Sequence, residues 1–176
     1  MNLYFDKRIS MKTILTRRSI RKYTNQPVSD EQIRQILEAA MAAPSAGNEQ
    51  PWQFIVINNR KILDEIPTIH PYAAMIKEAP LAILVCGDLS KEKYPGYWPV
   101  DCSAATENLL IAVNALGLDA VWCGIYPREE RMAGMKKLFG IPDGIMPFAL
   151  IPLGHPAEQK PPADRFDPSR IHHNNW

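Results

Sequence analysis

Four short apolar runs, each bounded by turn or helix signals, most strongly limit the folds open to this chain. They cover residues 52–57, 81–86, 120–123 and 145–153, and each predicts a buried β-strand. Helical stretches lie between them without a strict β-α-β alternation, and the chain has no internal repeat. This arrangement favours an α+β fold over a doubly wound parallel sheet.

Three helices can be placed from the residues at their ends. A capping box at Ser29 (S-D-E-Q) begins an amphipathic helix that stops before Pro44. Asp101 is predicted to cap a strongly apolar helix closed by Gly117, and its composition suits a central buried position. A shorter amphipathic helix is predicted over 128–139.

Composition excludes several classes of protein. With 176 residues, 46% of them apolar, and a net charge of +1, the chain fits one domain over 1–176 and does not suit a general polyanion binder. No apolar run reaches the roughly 20 residues of a membrane span, and the first ten residues do not form a signal peptide. We therefore expect a cytoplasmic protein that binds neither nucleic acid nor membrane. Met1 and Met11 both stay open as the native start.

Cysteine and histidine give no metal-ligand spacing. Cys86, Cys102 and Cys123 are odd in number, far apart and set in apolar surroundings, which favours packing over chemistry. The four histidines form no pattern with each other or with the cysteines. We expect no metal.

The end of the chain is extended and rich in proline. Eight of the 16 prolines fall at or after Pro127, and the residues from Pro152 onward lack helical periodicity. This stretch nevertheless keeps Phe166, Ile171 and Trp176, which a disordered tail would usually lack. It is predicted to be an ordered arm, approximately 155–176, that lies on a second copy of the chain.

Two segments could bind an anion or a flat ligand. Residues 17–22 (RRSIRK) hold four cations and a hydroxyl; they suit a phosphate if Arg17 and Arg21 share one face of a helical turn, or they form a solvated helix end. Residues 44–52 (PSAGNEQPW) either present amides to a ligand or simply connect a helix to a strand. Both alternatives stay open for each segment.

In order along the chain, these motifs resemble the nitroreductase family of flavin-dependent NAD(P)H oxidoreductases. The resemblance rests on RRSIRKY, PSAGNEQPWQFIV, EAPLAILVCGD, ATENLLIAVNALGLDAVWCGIY and the closing IPLGH…KPPADRFDPSRIH. It implies a three-layer α+β fold with a central, mainly antiparallel sheet, and a homodimer with FMN at the subunit interface. It also implies ping-pong reduction of nitroaromatic, quinone or flavin acceptors with NADH or NADPH as donor.

The same resemblance assigns residues to the cofactor. Arg17 and Arg165 would contact the FMN phosphate, Arg21 the pyrimidine edge of the flavin, and Ser45 and Asn48 would reach it from the other subunit. FMN carries the chemistry, so no catalytic side chain is expected. The complete cofactor-binding set implied is Arg17, Arg18, Ser19, Arg21, Pro44, Ser45, Ala46, Asn48, Gln50, Gly124, Ile125 and Arg165.

The chain departs from larger family members in two places. Residues 88–99 are compact where those members insert a longer excursion, and Tyr94, Tyr97 and Trp98 either stack a nicotinamide or aromatic acceptor there or pack on the surface. Cys123-Gly124 stands where those members often carry Glu before the glycine, which leaves open what tunes flavin N5. Lys77 is a candidate substitute for a polar flavin contact.

Three other functions remain open. One is a specialised family reaction such as flavin cleavage, dehalogenation or azoline oxidation. Another is a flavin-binding carrier or sensor without significant turnover. The third treats RRSIRK as an anion or nucleic-acid patch on an unrelated domain, but it leaves the PSAGN loop unexplained.

Overall fold

The chain is built around one antiparallel sheet. A computed structural model describes residues 11–161 and 163–176, so the expectation about the first ten residues lies outside it. Strand β2 lies between β1 and β5, and the two shortest strands both pair with β5. The strands are β1 (Trp52–Ile57), β2 (Leu81–Asp88), β3 (Asp119–Ala120), β4 (Cys123–Gly124) and β5 (Ile145–Gly154).

The strands predicted at 52–57, 81–86 and 145–153 are confirmed, whereas the one at 120–123 is wrong in detail. The structure divides it into β3 and β4, with Val121 and Trp122 between them. Val121 donates its N–H to the carbonyl of Pro152 at 3.2 Å, but proline has no N–H with which to return the bond. The ladder is therefore interrupted at this point of β5.

Helices cover both faces of the sheet. Alternate residues of β2 point to opposite faces: Ile83 belongs to a cluster with residues of α2 and α4, and Leu84 to a cluster with residues of α3 and α5. The α+β class and the three-layer arrangement are thus confirmed. The helices described are α1 (Met11–Thr16), α2 (Asp30–Met41), α3 (Arg60–Ile69), α4 (Trp98–Ala115) and α5 (Glu129–Phe139).

The predicted start of one helix is confirmed, and the predicted start of another is wrong. The Ser29 hydroxyl accepts from the Gln32 N–H at 3.2 Å, and the Gln32 side chain accepts from the Ser29 N–H at 3.0 Å, so the predicted capping box is confirmed. The prediction that Asp101 caps its helix is wrong, because α4 already begins at Trp98 with a proline in its first turn. Asp101 is instead buried inside the helix.

The arm is paired near its start and exposed beyond it. Ala157 donates its N–H to the carbonyl of Lys22 at 2.9 Å, which fixes the first part of the arm beside residues 20–24. Phe166 is 77% exposed and Trp176 is 100% exposed, and Trp176 stacks on His172 with ring centroids 4.3 Å apart, so neither ring is buried within its own chain. Among the described residues, no helix has both the length and the apolar character needed to cross a membrane.

Candidate functional site

The arginine-rich segment is extended, not helical. Helix α1 ends at Thr16, and the buried Ile20 donates its N–H to the carbonyl of Ala120 at 3.1 Å. The expectation that Arg17 and Arg21 share a helical turn is therefore wrong. Hydrogen bonding to the edge of the sheet and burial of Ile20 override the local helical spacing, since a helix here would break both.

The beginning of the arm clamps this segment from its other side. The backbone N–H of Arg21 donates to Glu158 Oε1 at 2.6 Å, and Lys160 Nζ donates to the carbonyl of Ser19 at 2.6 Å. The hydrogen bond from Arg21 lowers the pKa of Glu158, which therefore remains a carboxylate. The hydroxyl of the buried Tyr23 donates to the carbonyl of Ile20 at 2.6 Å. Ser19 and Arg21 thus lie in a segment held on both sides.

Three of the predicted arginines line one cavity, which we call the arginine pocket. Its volume is about 240 Å³, and it lies between α1, the arginine segment and the arm. Arg17 Nε lies 3.3 Å from a carboxylate oxygen of the half-exposed Glu107. The pocket is lined by Ile14, Leu15, Arg17, Arg18, Ala163, Asp164, Arg165 and Phe166.

Arg18 joins the two walls of the arginine pocket. Its Nε donates to the carbonyl of Pro161 at 2.9 Å, and its Nη1 donates to the carbonyls of Leu15 at 2.9 Å and Arg17 at 2.6 Å. Its Nη2 is buried and has no acceptor among the described residues. A buried cationic donor without an acceptor is costly, so this atom is suited to an anion or water in the pocket.

Residues 44–50, which we call the amide loop, fold back on themselves. Gln50 donates its N–H to Ser45 Oγ at 3.0 Å, and its Nε2 donates to Asn48 Oδ1 at 3.0 Å. The loop contains a short 3₁₀ turn over Ala46–Asn48, and Asn48 and Gln50 have φ values of 55° and 49°. Pro44, Asn48 and Gln50 are exposed. Left-handed backbone at two non-glycine residues is uncommon and typical of functional loops.

The backbone of β4 is held by two side chains that the sequence did not indicate. Arg131 Nη1 donates to the carbonyl of Gly124 at 2.8 Å, and His70 Nε2 lies 3.1 Å from the same oxygen. Burial and the nearby Arg131 cation lower the pKa of His70, so its ring is neutral near pH 7. The next residue, Ile125, is fully buried and donates its N–H to Phe148. The peptide after Gly124 is therefore fixed on both sides.

The three aromatic residues of the 88–99 segment differ in burial. Trp98 is 7% exposed, and its ring packs edge-on against Tyr126 at 4.8 Å between centroids and against Phe148 at 5.9 Å. Tyr94 and Tyr97 are half-exposed and contact each other with centroids 6.4 Å apart. Trp98 therefore packs in the core, whereas the two tyrosines stay available to a ligand.

The cysteines and Lys77 lie apart from this chemistry. All three thiols are buried and free, and burial raises the pKa of Cys86 to about 12 and that of Cys123 to about 11. They are uncharged thiols near pH 7, which agrees with a packing role. Lys77 is exposed at the end of a 3₁₀ turn. Within the described ranges, no group of three acidic, cysteine or histidine side chains could hold a metal ion.

The structure places the predicted residues in more than two groups. The arginine pocket collects Arg17, Arg18 and Arg165. The remaining predicted residues lie in the amide loop, in the clamped segment with Ser19 and Arg21, and at Gly124 and Ile125. No hydrogen bond or ion pair joins these three arginines to residues 44–50 in the described part of the chain. Sequence reasoning missed His70 and Arg131, because they touch Gly124 only through tertiary packing.

Comparison with known proteins identifies the family. The sequence model described as the Nitroreductase family matches residues 14–69 and 68–155. A relative from Methanothermobacter thermautotrophicus, provisionally named an NADH dehydrogenase/NAD(P)H nitroreductase, is 51% identical over 100% of this chain and 94% of its own. This chain belongs to the nitroreductase family.

Two solved structures share the fold. A provisionally named nitroreductase from Desulfovibrio desulfuricans, solved in complex with FMN, is 32% identical with a TM-score of 0.81, and the match covers 94% of this chain and 96% of that one. The NADPH:FMN oxidoreductase of Vibrio harveyi, solved with NAD+, is 26% identical with a TM-score of 0.81 and coverage of 94% and 76%. The resemblance seen in the sequence motifs and the expected fold are confirmed.

Proposed function

We propose that this chain is an FMN-dependent NAD(P)H oxidoreductase. The observation that carries the proposal is the arginine pocket, where Arg17, Arg18 and Arg165 meet in a chain with a net charge of only +1. Family membership supplies the cofactor class, and relatives solved with FMN and with NAD+ support it.

The pocket suits the phosphate end of FMN. A phosphate offers several acceptor oxygens, and guanidinium groups bind it through paired, charge-assisted hydrogen bonds. Arg17 and Arg165 are the residues that would hold it, and the buried Nη2 of Arg18 is a donor still without an acceptor. Arg21, which is exposed, would face the pyrimidine edge of the flavin.

A second copy of the chain would complete the site. The amide loop is not bonded to the arginine pocket within one described chain, and Ile14, Leu15 and Phe166 expose apolar surface at the pocket. We therefore propose a homodimer in which the arm, approximately 155–176, crosses the partner and the partner's amide loop meets the flavin. Light scattering on the purified protein should give twice the chain mass of 19.9 kDa.

The proposal assigns each part of the chain a role in hydride chemistry. When bound, FMN would accept a hydride from NADH or NADPH and pass the electron pair to an acceptor. The cation of Arg21 would stabilise negative charge at the pyrimidine edge, which favours the reduced cofactor. The backbone at Gly124 and Ile125, held by Arg131 and His70, would lie near the central ring.

The finer part of the proposal concerns the substrates. The nucleotide donor and the electron acceptor would bind in turn to the same exposed face of the flavin. The acceptors would be nitroaromatics, quinones or flavins. The half-exposed rings of Tyr94 and Tyr97 support this, because flat aromatic molecules stack on such rings.

The test begins with the absorption spectrum of the freshly purified protein. We expect flavin bands that bleach when NADH or NADPH is added without oxygen, and steady oxidation of the nucleotide when menadione follows. Bands that persist with both nucleotides would indicate a carrier or sensor. A protein that stays colourless after FMN is supplied would contradict the proposal.

A further inference from the structure

Two carboxyl groups face each other beneath the amide loop. Glu49 belongs to the loop and is 6% exposed, and Asp101 belongs to α4 and is 3% exposed. The two side chains are within hydrogen-bonding reach of each other. We call them the carboxyl pair.

Each member of the pair has one satisfied oxygen and one that lacks a donor. Asp101 Oδ1 accepts from the N–H of Ala46 at 3.0 Å. Glu49 Oε2 accepts from the N–H groups of Lys93 at 2.7 Å and Tyr94 at 3.3 Å. The other two oxygens, Glu49 Oε1 and Asp101 Oδ2, are buried without a donor among the described residues.

A single proton between the two carboxyl groups satisfies both remaining oxygens. Two adjacent buried carboxylates repel each other, whereas one protonated carboxyl donates a hydrogen bond to the other. The surroundings decide which group holds the proton. Glu49 faces two N–H groups and the Lys93 cation, while Asp101 faces one N–H group and the carboxylates of Glu49 and Glu92.

These surroundings set the direction of each titration. Burial, together with the nearby carboxylates of Glu49 and Glu92, raises the pKa of Asp101. Burial opposes ionisation of Glu49, but its hydrogen bonds from Lys93, Tyr94 and Asp101 outweigh that effect and lower its pKa. Of the two groups, Asp101 therefore keeps its proton to the higher pH.

The pair connects three segments around the predicted cofactor contacts. Asp101 links α4 to the amide loop at Ala46, and Glu49 links the loop to the segment that follows β2. That segment returns to the loop, because Lys93 Nζ donates to the carbonyl of Gly47 at 3.0 Å. The pair thus supplies the contacts through which α4 and the backbone of residues 93 and 94 hold the loop.

We propose that Asp101 is a positioning residue of the flavin site: through the proton it shares with Glu49, it holds the amide loop in the conformation that receives the cofactor. This inference rests on the proposed function, since it takes the loop to contact FMN. When the pH rises through the pKa of Asp101, two buried carboxylates face each other and the loop loosens. FMN affinity then falls.

The substitution Asp101→Asn separates this role from a merely structural one. The Asn amide group can donate to Glu49 Oε1 and its oxygen can accept from Ala46, so the contacts persist with no proton to lose. Glu49→Gln likewise supplies a permanent donor toward Asp101. Asp101→Ala removes the contact at every pH. Asp64→Asn is the control, because Asp64 is half-exposed and pairs with Arg60 on α3.

The experiment measures the dissociation constant of FMN by flavin fluorescence from about pH 5 to about pH 9. We expect about a tenfold rise in the wild type and in Asp64→Asn, and less than about a twofold change in Asp101→Asn and Glu49→Gln. FMN itself titrates equally in all variants, so differences report the protein. The same pH dependence in the wild type and Asp101→Asn would overturn the inference, as would wild-type affinity in Asp101→Ala.

A second measurement keeps the two proposals distinguishable. If no variant binds FMN at any pH, the proposed function fails, but urea unfolding of the cofactor-free protein still tests the pair. Because the pKa of Asp101 is raised in the folded state, its protonation stabilises the folded protein at low pH. This contribution to the free energy of unfolding is lost as the pH rises through the folded-state pKa. The free energy of unfolding should therefore fall with pH in the wild type relative to Asp101→Asn. Parallel curves would overturn the inference.

Discussion

The arginine pocket and the amide loop carry predicted cofactor contacts, but they are held in different ways. In the pocket, backbone carbonyls fix Arg18, and the half-exposed carboxylate of Glu107 pairs with Arg17. The amide loop is fixed from inside by two buried carboxyl groups. We infer that charge and salt control the pocket, whereas packing and protonation control the loop.

The largest expected effect is the loss of FMN affinity when an arginine of the pocket is replaced. Arg17→Ala or Arg165→Ala should weaken FMN binding about ten- to a hundredfold, because each removes charge-assisted hydrogen bonds to a phosphate. Fluorescence titration with FMN measures this loss, and circular dichroism checks that the fold is kept. Arg170→Ala is the matched control, since Arg170 is an exposed arm cation that pairs with Asp167. Unchanged affinity in both pocket variants would contradict the assigned roles.

A second test concerns the packing of the loop. Gly47 has φ +52°, and a Cβ added there would lie 2.5 Å from Cε2 of Tyr94. Gly47→Ala should therefore cost more than the roughly 1 kcal/mol that left-handed backbone alone costs an alanine. Gly140→Ala is the control, because Gly140 has φ +60° and open space around it. Urea unfolding compares them, and equal losses would show that the Tyr94 contact has no influence.

The smallest expected effect concerns salt. Raising NaCl from about 0.1 M to about 1 M shortens the screening length from about 10 Å to about 3 Å and should weaken FMN binding several-fold. Arg165→Ala should flatten this dependence, because it removes one of the charges involved. Gln50→Ala should lower affinity at both salt concentrations without changing the slope. If FMN affinity depends equally on salt in the wild type and in both variants, the pocket and the loop do not differ in their electrostatic contribution.

Local sequence signals predicted the framework well. The strands over 52–57 and 145–153 follow from short apolar runs bounded by turn or helix signals, and the capping box at Ser29 follows from hydrogen bonds between residues three apart. Such signals involve neighbours in the chain, so they can be read without the fold. The order of the motifs also carried the family resemblance.

The errors arose where distant residues decide the conformation. The four-residue spacing of Arg17 and Arg21 predicted that they share one face of a helical turn. In the structure, Ser19 pairs with Ala120, and the segment is extended. Asp101 looks like a helix cap because aspartate favours that position. In the structure it bonds to Ala46, which is 55 residues away in the chain, and lies inside the helix.

The sequence by itself determined the family, the strands over 52–57, 81–86 and 145–153, and the capping box at Ser29, because these depend on residue type and short spacing. Only the tertiary structure placed Arg17, Arg18 and Arg165 around one pocket and set Glu49 against Asp101. Burial is the physical reason: the cost of a charge or an unpaired oxygen depends on what surrounds it in space.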